Sequence, residues 1–223
     1  MDISEIKELL ASEDPQFRLR GLVALRDYDS ETAVPLLMNL RQDSAFLVRS
    51  FVAMGLGRKR NDTAYQALLK MLETETDSNV QSEIANSLGL YGSVATERLV
   101  QLFESNDHWL VQRSILAIMP EMESPKALLK LALQALENDD QTISQAGIST
   151  LGLLAGTSQE KAALEALLPA VENELWRSRL AAAYALKRFD NPAAKDALDK
   201  LRKDDNHKVV AAALEDLLPA DSA

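Results

Sequence analysis

A ten-residue helical pattern recurs along the whole chain. In residues 48–57, apolar or small side chains at offsets 0, +4, +5, +7 and +8 form one broad stripe, and a glycine follows at +9, where helices commonly end. Further copies begin at Phe17, Val80, Leu110, Ile143, Ser178 and Val209. Successive starting points lie 30–35 residues apart. A period in this range that is held over a whole chain predicts a stack of repeats.

Each period contains two helical patterns, a shorter helix A and then the helix B that carries the motif. The sequence therefore predicts an all-α fold, a right-handed α-solenoid of about seven helical hairpins. We expect a single domain over residues 1–223, because no linker of more than a few residues is left over. The predicted repeats are 1–29, 30–60, 61–91, 92–122, 123–155, 156–190 and 191–219.

Composition narrows the kinds of function. The formal net charge is −10 and the pI about 4.8, which disfavours nucleic acid as a partner because phosphate contacts need an excess of Lys and Arg. No cysteine is present, and the two histidines, His108 and His207, are too far apart for metal-ligand spacing. No stretch of about 18 apolar residues occurs. We expect a cytoplasmic protein without a cofactor, a metal site, a membrane contact or catalytic residues.

The polar residues of helix B carry a resemblance. Arginine stands at +1 in Arg18, Arg49 and Arg179, where the other repeats have Gln81, Val111, Ser144 and Val210. Aspartate stands at −3 in Asp14, Asp77, Asp107 and Asp140, and repeat two has Asp43 at −5 instead. This pattern resembles HEAT repeats, and more narrowly the short HEAT-like repeats of the phycobilisome-lyase type found mainly in cyanobacteria. The resemblance implies an Asp–Arg ladder between neighbouring repeats, which should be partial here.

The outward positions of the B helices form the predicted binding face. In such a solenoid the B helices line the concave side, and offsets +3, +6 and +10 point outward or flank the outward direction. Apolar anchors ringed by arginine are typical of interfaces. Alternatively, the +3 residues are half-buried against the next repeat and the arginines pair with neighbouring carboxylates. The predicted partner-binding residues are Arg20, Phe51, Met54, Arg58, Glu83, Asn86, Leu90, Arg113, Leu116, Tyr184 and Arg188.

Two tryptophans lie at the start of B helices, on the loop rim of the repeats. His108 precedes Trp109, and Trp176 precedes an arginine. Such a tryptophan either stacks on a ligand or anchors a partner, or it seals the junction between adjacent repeats.

Two functions of different class are left open. The first is a non-catalytic scaffold or adaptor that holds another protein on its concave face, in phycobilisome or cofactor-assembly biology. The second follows from the resemblance alone: a subunit of a phycobiliprotein bilin lyase, or a phycobilisome degradation factor, that binds a linear tetrapyrrole or a phycobiliprotein. A DNA-glycosylase-like solenoid is a third possibility, which the acidic composition disfavours.

Overall fold

The computed structural model describes residues 1–215 as an all-helical chain. Fourteen α-helices lie in these residues, and four short 3₁₀ segments extend or precede them. The helices are α1 (Ile3–Leu10), α2 (Pro15–Ala24), α3 (Ser30–Asn39), α4 (Phe46–Lys59), α5 (Asp62–Thr74), α6 (Ser78–Gly89), α7 (Thr96–Ser105), α8 (Trp109–Ile118), α9 (Pro125–Leu136), α10 (Gln141–Gly152), α11 (Glu160–Leu167), α12 (Trp176–Leu186), α13 (Pro192–Leu201) and α14 (His207–Leu214). Odd-numbered helices are the predicted A helices and even-numbered helices the B helices. The predicted end of repeat seven, 216–219, lies outside the described residues.

The helices form hairpins that stack through their B helices. Along the chain, α4 contacts α6 and α6 contacts α8, and in the same way α10 contacts α12 and α12 contacts α14. The chain divides into two compact units, unit 1 from Met1 to Met122 and unit 2 from Glu123 onward. Within each unit the predicted α-solenoid arrangement of hairpins is confirmed. The single domain over the whole chain stays a prediction.

The predicted stripe forms the core of each hairpin. In α4, the side chains at offsets 0, +4, +5 and +8 are Val48, Val52, Ala53 and Leu56, and all four are fully buried. The same offsets from Val80 and from Ile143 are buried in α6 and α10. A stripe this wide lets one helix contact both its own A helix and the B helices on either side.

Helix N-caps fix the register of every B helix and correct one repeat. The N-cap stands three residues before the stripe in all seven, as Asp14, Ala45, Asp77, His108, Asp140, Leu175 and Asn206. The helix B motif of repeat four therefore begins at Val111, and the prediction that this motif begins at Leu110 is wrong by one residue. Asp107 is exposed and is not the N-cap. The residue that takes the place of the repeat's arginine is then Gln112, which is buried.

The glycines at +9 serve close packing between repeats. A Cβ on Gly57 would lie 2.6 Å from the Cβ and 2.9 Å from the Cα of Ser87 in the next B helix. A Cβ on Gly152 would lie 2.8 Å from the Cα of Ala185 in the same way. The prediction that this glycine ends the helix is wrong for α4, which continues to Lys59 before Arg60 adopts a left-handed conformation at φ 47°. Glycine is therefore required at these positions because a side chain would clash with the neighbouring B helix.

Candidate partner-binding surface

A ladder of polar side chains joins the A–B loops of successive repeats. Arg18 contacts Asp43 of the next repeat through two pairs of atoms, Nε to Oδ2 at 2.7 Å and Nη2 to Oδ1 at 2.8 Å. Its Nη1 also donates to the carbonyl oxygens of Ser12 and Glu13 in its own loop. We refer to each such pair between repeats as a rung. The predicted ladder exists, but its acid lies at −5 and not at −3.

The other two arginines at +1 build the same rung. Arg49 donates Nε to Glu75 at 2.7 Å and Nη2 to the same carboxylate at 2.9 Å. Arg179 donates Nε and Nη2 to Asp204 at 2.6 and 2.9 Å, and it also contacts Asp205. Between repeats three and four the rung is neutral, because the side-chain amide of Asn106 donates from Nδ2 to the side-chain Oε1 of Gln81 at 2.9 Å. The ladder is therefore partly charged and partly neutral.

The −5 residue also orders the loop in which it lies. In each repeat of the described chain its side chain accepts a hydrogen bond from the backbone N–H two residues later. The pairs are Ser12–Asp14, Asp43–Ala45, Glu75–Asp77, Asn106–His108, Asn138–Asp140, Asn173–Leu175 and Asp204–Asn206. The side chain at −5 thus orders its own loop. Where a rung is present, the same side chain also contacts the +1 side chain of the previous repeat.

Two of the charged rungs lower the pKa of their acids, which are Glu75 and Asp204. Burial opposes ionisation of Glu75, but hydrogen bonds from Arg49 and from two backbone N–H groups outweigh it and hold the pKa of this carboxyl below its usual range. Hydrogen bonds from Arg179 lower the pKa of Asp204 to about 2. Both carboxylates have almost no exposed side-chain surface, so the ion pairs are shielded from solvent. These residues hold the stack together and leave the B-helix face free for other roles.

Most of the predicted partner-binding residues lie on the B helices of unit 1. Arg20 and Arg58 are exposed, as are Asn86, Leu90 and Arg113. Three further residues are half-buried there: Phe51, Met54 and Glu83. Burial raises the pKa of Glu83 despite the charge of Arg58 on the neighbouring helix. Some of these residues thus lie on an exposed face, as the binding prediction expects, and others are half-buried, as the alternative expects.

Leu116 does not belong to this surface. Its relative exposure is 2%, because the register of repeat four is one residue later than predicted and Leu116 occupies offset +5. The outward +6 position of this repeat is Ala117, which is exposed. Arg113 moves to offset +2 and stays exposed. The B-helix face therefore has a small residue where the sequence predicts an apolar anchor.

A small apolar pocket opens between α2 and α4 in unit 1. Phe51 and Met54 line it together with Val23, which is 50% exposed at its edge. The pocket has a volume of about 70 Å³. Its remaining lining residues are Leu22, Leu25, Leu37, Gly55, Arg26, Arg58 and Lys59. Leu37, Arg26 and Lys59 are among the lining residues that the sequence prediction lacks, because an A helix, a 3₁₀ segment and a helix end carry them.

Unit 2 contributes Tyr184 and Arg188 to the predicted site. Tyr184 is 49% exposed, and the ammonium nitrogen of Lys187 lies 5.4 Å from its ring centroid. Lys187 also forms an ion pair with Glu215 at 3.1 Å. Leu153, on the B helix of repeat five, is partly exposed as well. Arg188, the other predicted residue of this unit, is exposed.

The two rim tryptophans have different environments. Trp109 is 43% exposed and stacks on His108, whose Nδ1 accepts the backbone N–H of Leu110 as the N-cap of α8. Trp176 is half-buried between two cations, with the guanidinium of Arg177 at 4.5 Å and the ammonium of Lys208 at 5.1 Å from its ring. Because Lys208 belongs to the next B helix, Trp176 joins two repeats, whereas Trp109 remains open to solvent.

The described residues contain neither a metal-ligand cluster nor a membrane-spanning helix. Among residues 1–215, no group of three or more His, Cys, Asp or Glu side chains could hold a metal ion. In the same residues, no helix combines the length and the apolarity needed to cross a bilayer.

Repeated A–B hairpins whose B helices stack on one another define an α-solenoid repeat protein. HEAT repeats match residues 3–89, 36–119 and 129–218, so the chain belongs to the HEAT-repeat family. A sequence comparison with curated proteins finds no match.

Solved structures share the fold. The complex of CpcE and CpcF of phycocyanin lyase from Nostoc sp. PCC7120 is similar with a TM-score of 0.56 and 19% identity, over 98% of this chain and 95% of the other. The E. coli protein YibA is similar with a TM-score of 0.63 and 14% identity, over 97% of this chain and 92% of the other. At these identities the likeness concerns the fold alone.

Proposed function

We propose that this HEAT-repeat protein is a non-catalytic scaffold that binds a partner protein through the outward side of its B helices. The observation that supports this proposal is the pocket between α2 and α4, where apolar side chains lie beside cations on a chain of net charge −10. Repeat stacking fixes this surface before binding, so little order has to be gained on association. Its concave placement in a single solenoid, a cytoplasmic location and the partner's identity are parts of the proposal.

The scaffold proposal is tested by removing exposed apolar side chains from the B helices. Leu90→Ser with Tyr184→Ser changes one exposed residue in each unit, and neither residue contributes to the core. Val94→Ser with Leu133→Ser is the matched control, since both of these residues are exposed outside the B helices. Proteins captured from native extract by the parent and the control, and lost from the B-helix variant, would support the proposal. Equal capture by all three proteins would refute it.

A second candidate is a subunit of a bilin lyase or a phycobilisome degradation factor, with a linear tetrapyrrole or a phycobiliprotein as ligand. The fold similarity to the phycocyanin lyase complex favours it. So does an open depression of about 680 Å³ in repeat one, lined by Leu9, Phe17 and Arg20 among others. Arg20 would pair with a propionate, and its guanidinium already lies 5.8 Å from the ring of Phe17. The depression is wide and open and is also lined by Glu5 and Glu8, which would repel a propionate, whereas the pocket of about 70 Å³ is too small for a tetrapyrrole.

Titration with a linear tetrapyrrole separates the two candidates. Under the second candidate, visible absorbance shifts on addition of the bilin, and the shift weakens in Arg20→Ala and Phe17→Ala. Arg98→Ala, an exposed arginine on α7, is the control and should keep the parent's spectrum. An unchanged spectrum at saturating bilin would remove the tetrapyrrole function and leave the scaffold.

A further inference from the structure

The pocket between α2 and α4 has a size and a charge that specify what can enter it. It is an indentation between the B helices of repeats one and two, closed at its base by Leu22, Leu25 and Leu37. These three side chains are themselves almost fully buried, so the base is part of the core. Val23 forms one edge and Met54 another. The base is therefore held in place by the packing of the core.

The volume selects the type of side chain. An engineered cavity of about 150 Å³ accommodates benzene, which gives a scale for one aromatic ring. The pocket is about half of that, at about 70 Å³. A branched aliphatic group fits this space, and an aromatic ring or a tetrapyrrole does not. Because the base is apolar, a polar side chain would lose its hydrogen bonds to water without replacement.

The cations beside the pocket favour a negatively charged partner. Arg26, Arg58 and Lys59 line the pocket. Arg26 pairs with Asp27 at 3.2 Å, and Lys59 donates to the carbonyl oxygen of Arg26 at 3.0 Å. Arg58 is exposed in the last turn of α4. Three cations in one place on a chain of net charge −10 attract an acidic partner selectively.

One carboxylate of the chain itself competes for Arg58. Glu83 of α6 interacts electrostatically with this arginine, although it is half-buried on its own helix. A partner carboxylate reaching Arg58 from solvent meets the exposed guanidinium without burying a second acid. The competition lowers the affinity for an acidic segment and leaves its selectivity unchanged.

We infer that this pocket binds an acidic segment of a protein partner by taking up one aliphatic side chain, while Arg58 pairs with a carboxylate next to it. This inference rests on the proposed scaffold function and adds the partner's chemistry to it. Area alone would not give selectivity, whereas an anchor in a pocket with a charge beside it does. The aliphatic anchor provides burial and the carboxylate fixes the direction of the segment.

The test uses peptides selected from a random display library on the full-length protein. The expected consensus contains Leu, Ile or Val flanked by Asp or Glu. The affinity of the best peptide is then measured by calorimetry against two pocket variants, Val23→Asp and Arg58→Glu, and two matched controls, Val94→Asp and Arg98→Glu. All four residues are exposed, so folding is retained and is checked by circular dichroism. Each pocket variant should weaken binding by about tenfold or more, and each control by less than about twofold.

Three results would overturn the inference. Selected peptides with a basic or aromatic consensus would contradict the proposed acidic and aliphatic segment. An affinity unchanged in both pocket variants would contradict the pocket as its binding site. Binding that is lost in Leu90→Ser or Tyr184→Ser but not in the pocket variants would refute the pocket while supporting the B-helix scaffold. Peptides that bind every variant equally would count against both the pocket and the scaffold.

Discussion

The first and third junctions of unit 1 differ in chemistry and agree in geometry. Between repeats one and two, Arg18 holds Asp43 in a shielded ion pair. Between repeats three and four, Gln81 and Asn106 meet through one neutral hydrogen bond of 2.9 Å. In both cases the two residues are 25 positions apart, and the side chain at −5 also accepts the backbone N–H two residues later. The geometry of the loop therefore requires an acceptor side chain, and the charge is an addition to it.

This difference determines how each junction responds to change. A buried ion pair contributes little net stability when compared with a well-matched neutral pair, yet removal of one partner leaves an uncompensated charge. The charged junctions are thus more sensitive to a single substitution and to pH than the neutral one. The predictions below test this contrast, beginning with the largest expected effect.

Replacing one partner of the charged rung should have the largest effect. Arg18→Gln removes the charge opposite Asp43 and leaves a nearly buried carboxylate, at a cost of about 3 kcal/mol in the free energy of unfolding. The double variant Arg18→Gln with Asp43→Asn recreates the neutral rung and should recover more than half of this loss. Urea unfolding followed by Trp109 fluorescence in a Trp176→Phe background reports on unit 1. Equal losses in the single and double variants would show that charge balance is not what matters.

Replacing the glycines at +9 by alanine should cost more stability at the junction of repeats two and three than at the junction of repeats three and four. Gly57→Ala places a Cβ against the backbone of Ser87, which cannot move without shifting α6, and should cost about 1–3 kcal/mol. Gly89→Ala meets only the side chain of Ile118, at 3.1 Å from its Cδ1, and should cost less than about 1 kcal/mol because that side chain can rotate. Thermal and urea unfolding of both variants gives the comparison. A larger loss for Gly89→Ala would contradict the packing described for these junctions.

Acid should weaken a charged rung and spare a neutral one. The pKa of Asp204 is lowered from 3.8 to about 2 by Arg179, so its contribution is complete above about pH 4 and is lost as pH falls through about 2. The advantage of the parent over Asp204→Asn should shrink by about 1–2 kcal/mol between about pH 5 and about pH 2. Urea unfolding followed by Trp176 fluorescence in a Trp109→Phe background measures it. An advantage that does not change with pH would show that Asp204 titrates as it does in the unfolded chain.

The sequence predicts the buried apolar positions of the B helices, because these positions recur at the same offsets in successive repeats. Offsets 0, +4, +5 and +8 can be recognised because most B helices bury the same stripe, with Phe17 of α2 and Leu214 of α14 as exposed exceptions. Repeat four is misread by one residue because Leu110 and Val111 are both apolar, and only the N-cap, His108, distinguishes them. The N-cap is itself hard to recognise, since histidine is not among the residues that favour this position.

The ladder and the pocket are harder to predict, for different reasons. The rung has Arg or Gln at +1 and Asp, Glu or Asn at −5, and the direction of the hydrogen bond reverses in the Gln81–Asn106 pair, so no single residue type marks it. An alignment of the −5 and +1 positions within this one chain would have found the pairing of Arg18 with Asp43. The pocket combines a side chain of α3 with residues of two B helices, and only packing brings them together.

The N-cap of repeat four should give the smallest effect and tests the corrected register directly. His108→Asp places the preferred N-cap residue where three other B helices already have aspartate, and should stabilise unit 1 by about 0.5–1 kcal/mol. The gain arises because a carboxylate accepts the N–H of Leu110 more strongly than an imidazole does and also lies at the positive end of α8. Asp107→Asn is the control and should leave the unfolding midpoint in urea unchanged, since Asp107 lies outside the helix. If Asp107→Asn destabilised the protein and His108→Asp did not stabilise it, the corrected register would be wrong. The helix B motif of repeat four would then begin at Leu110, and Leu116 would belong to the exposed B-helix face.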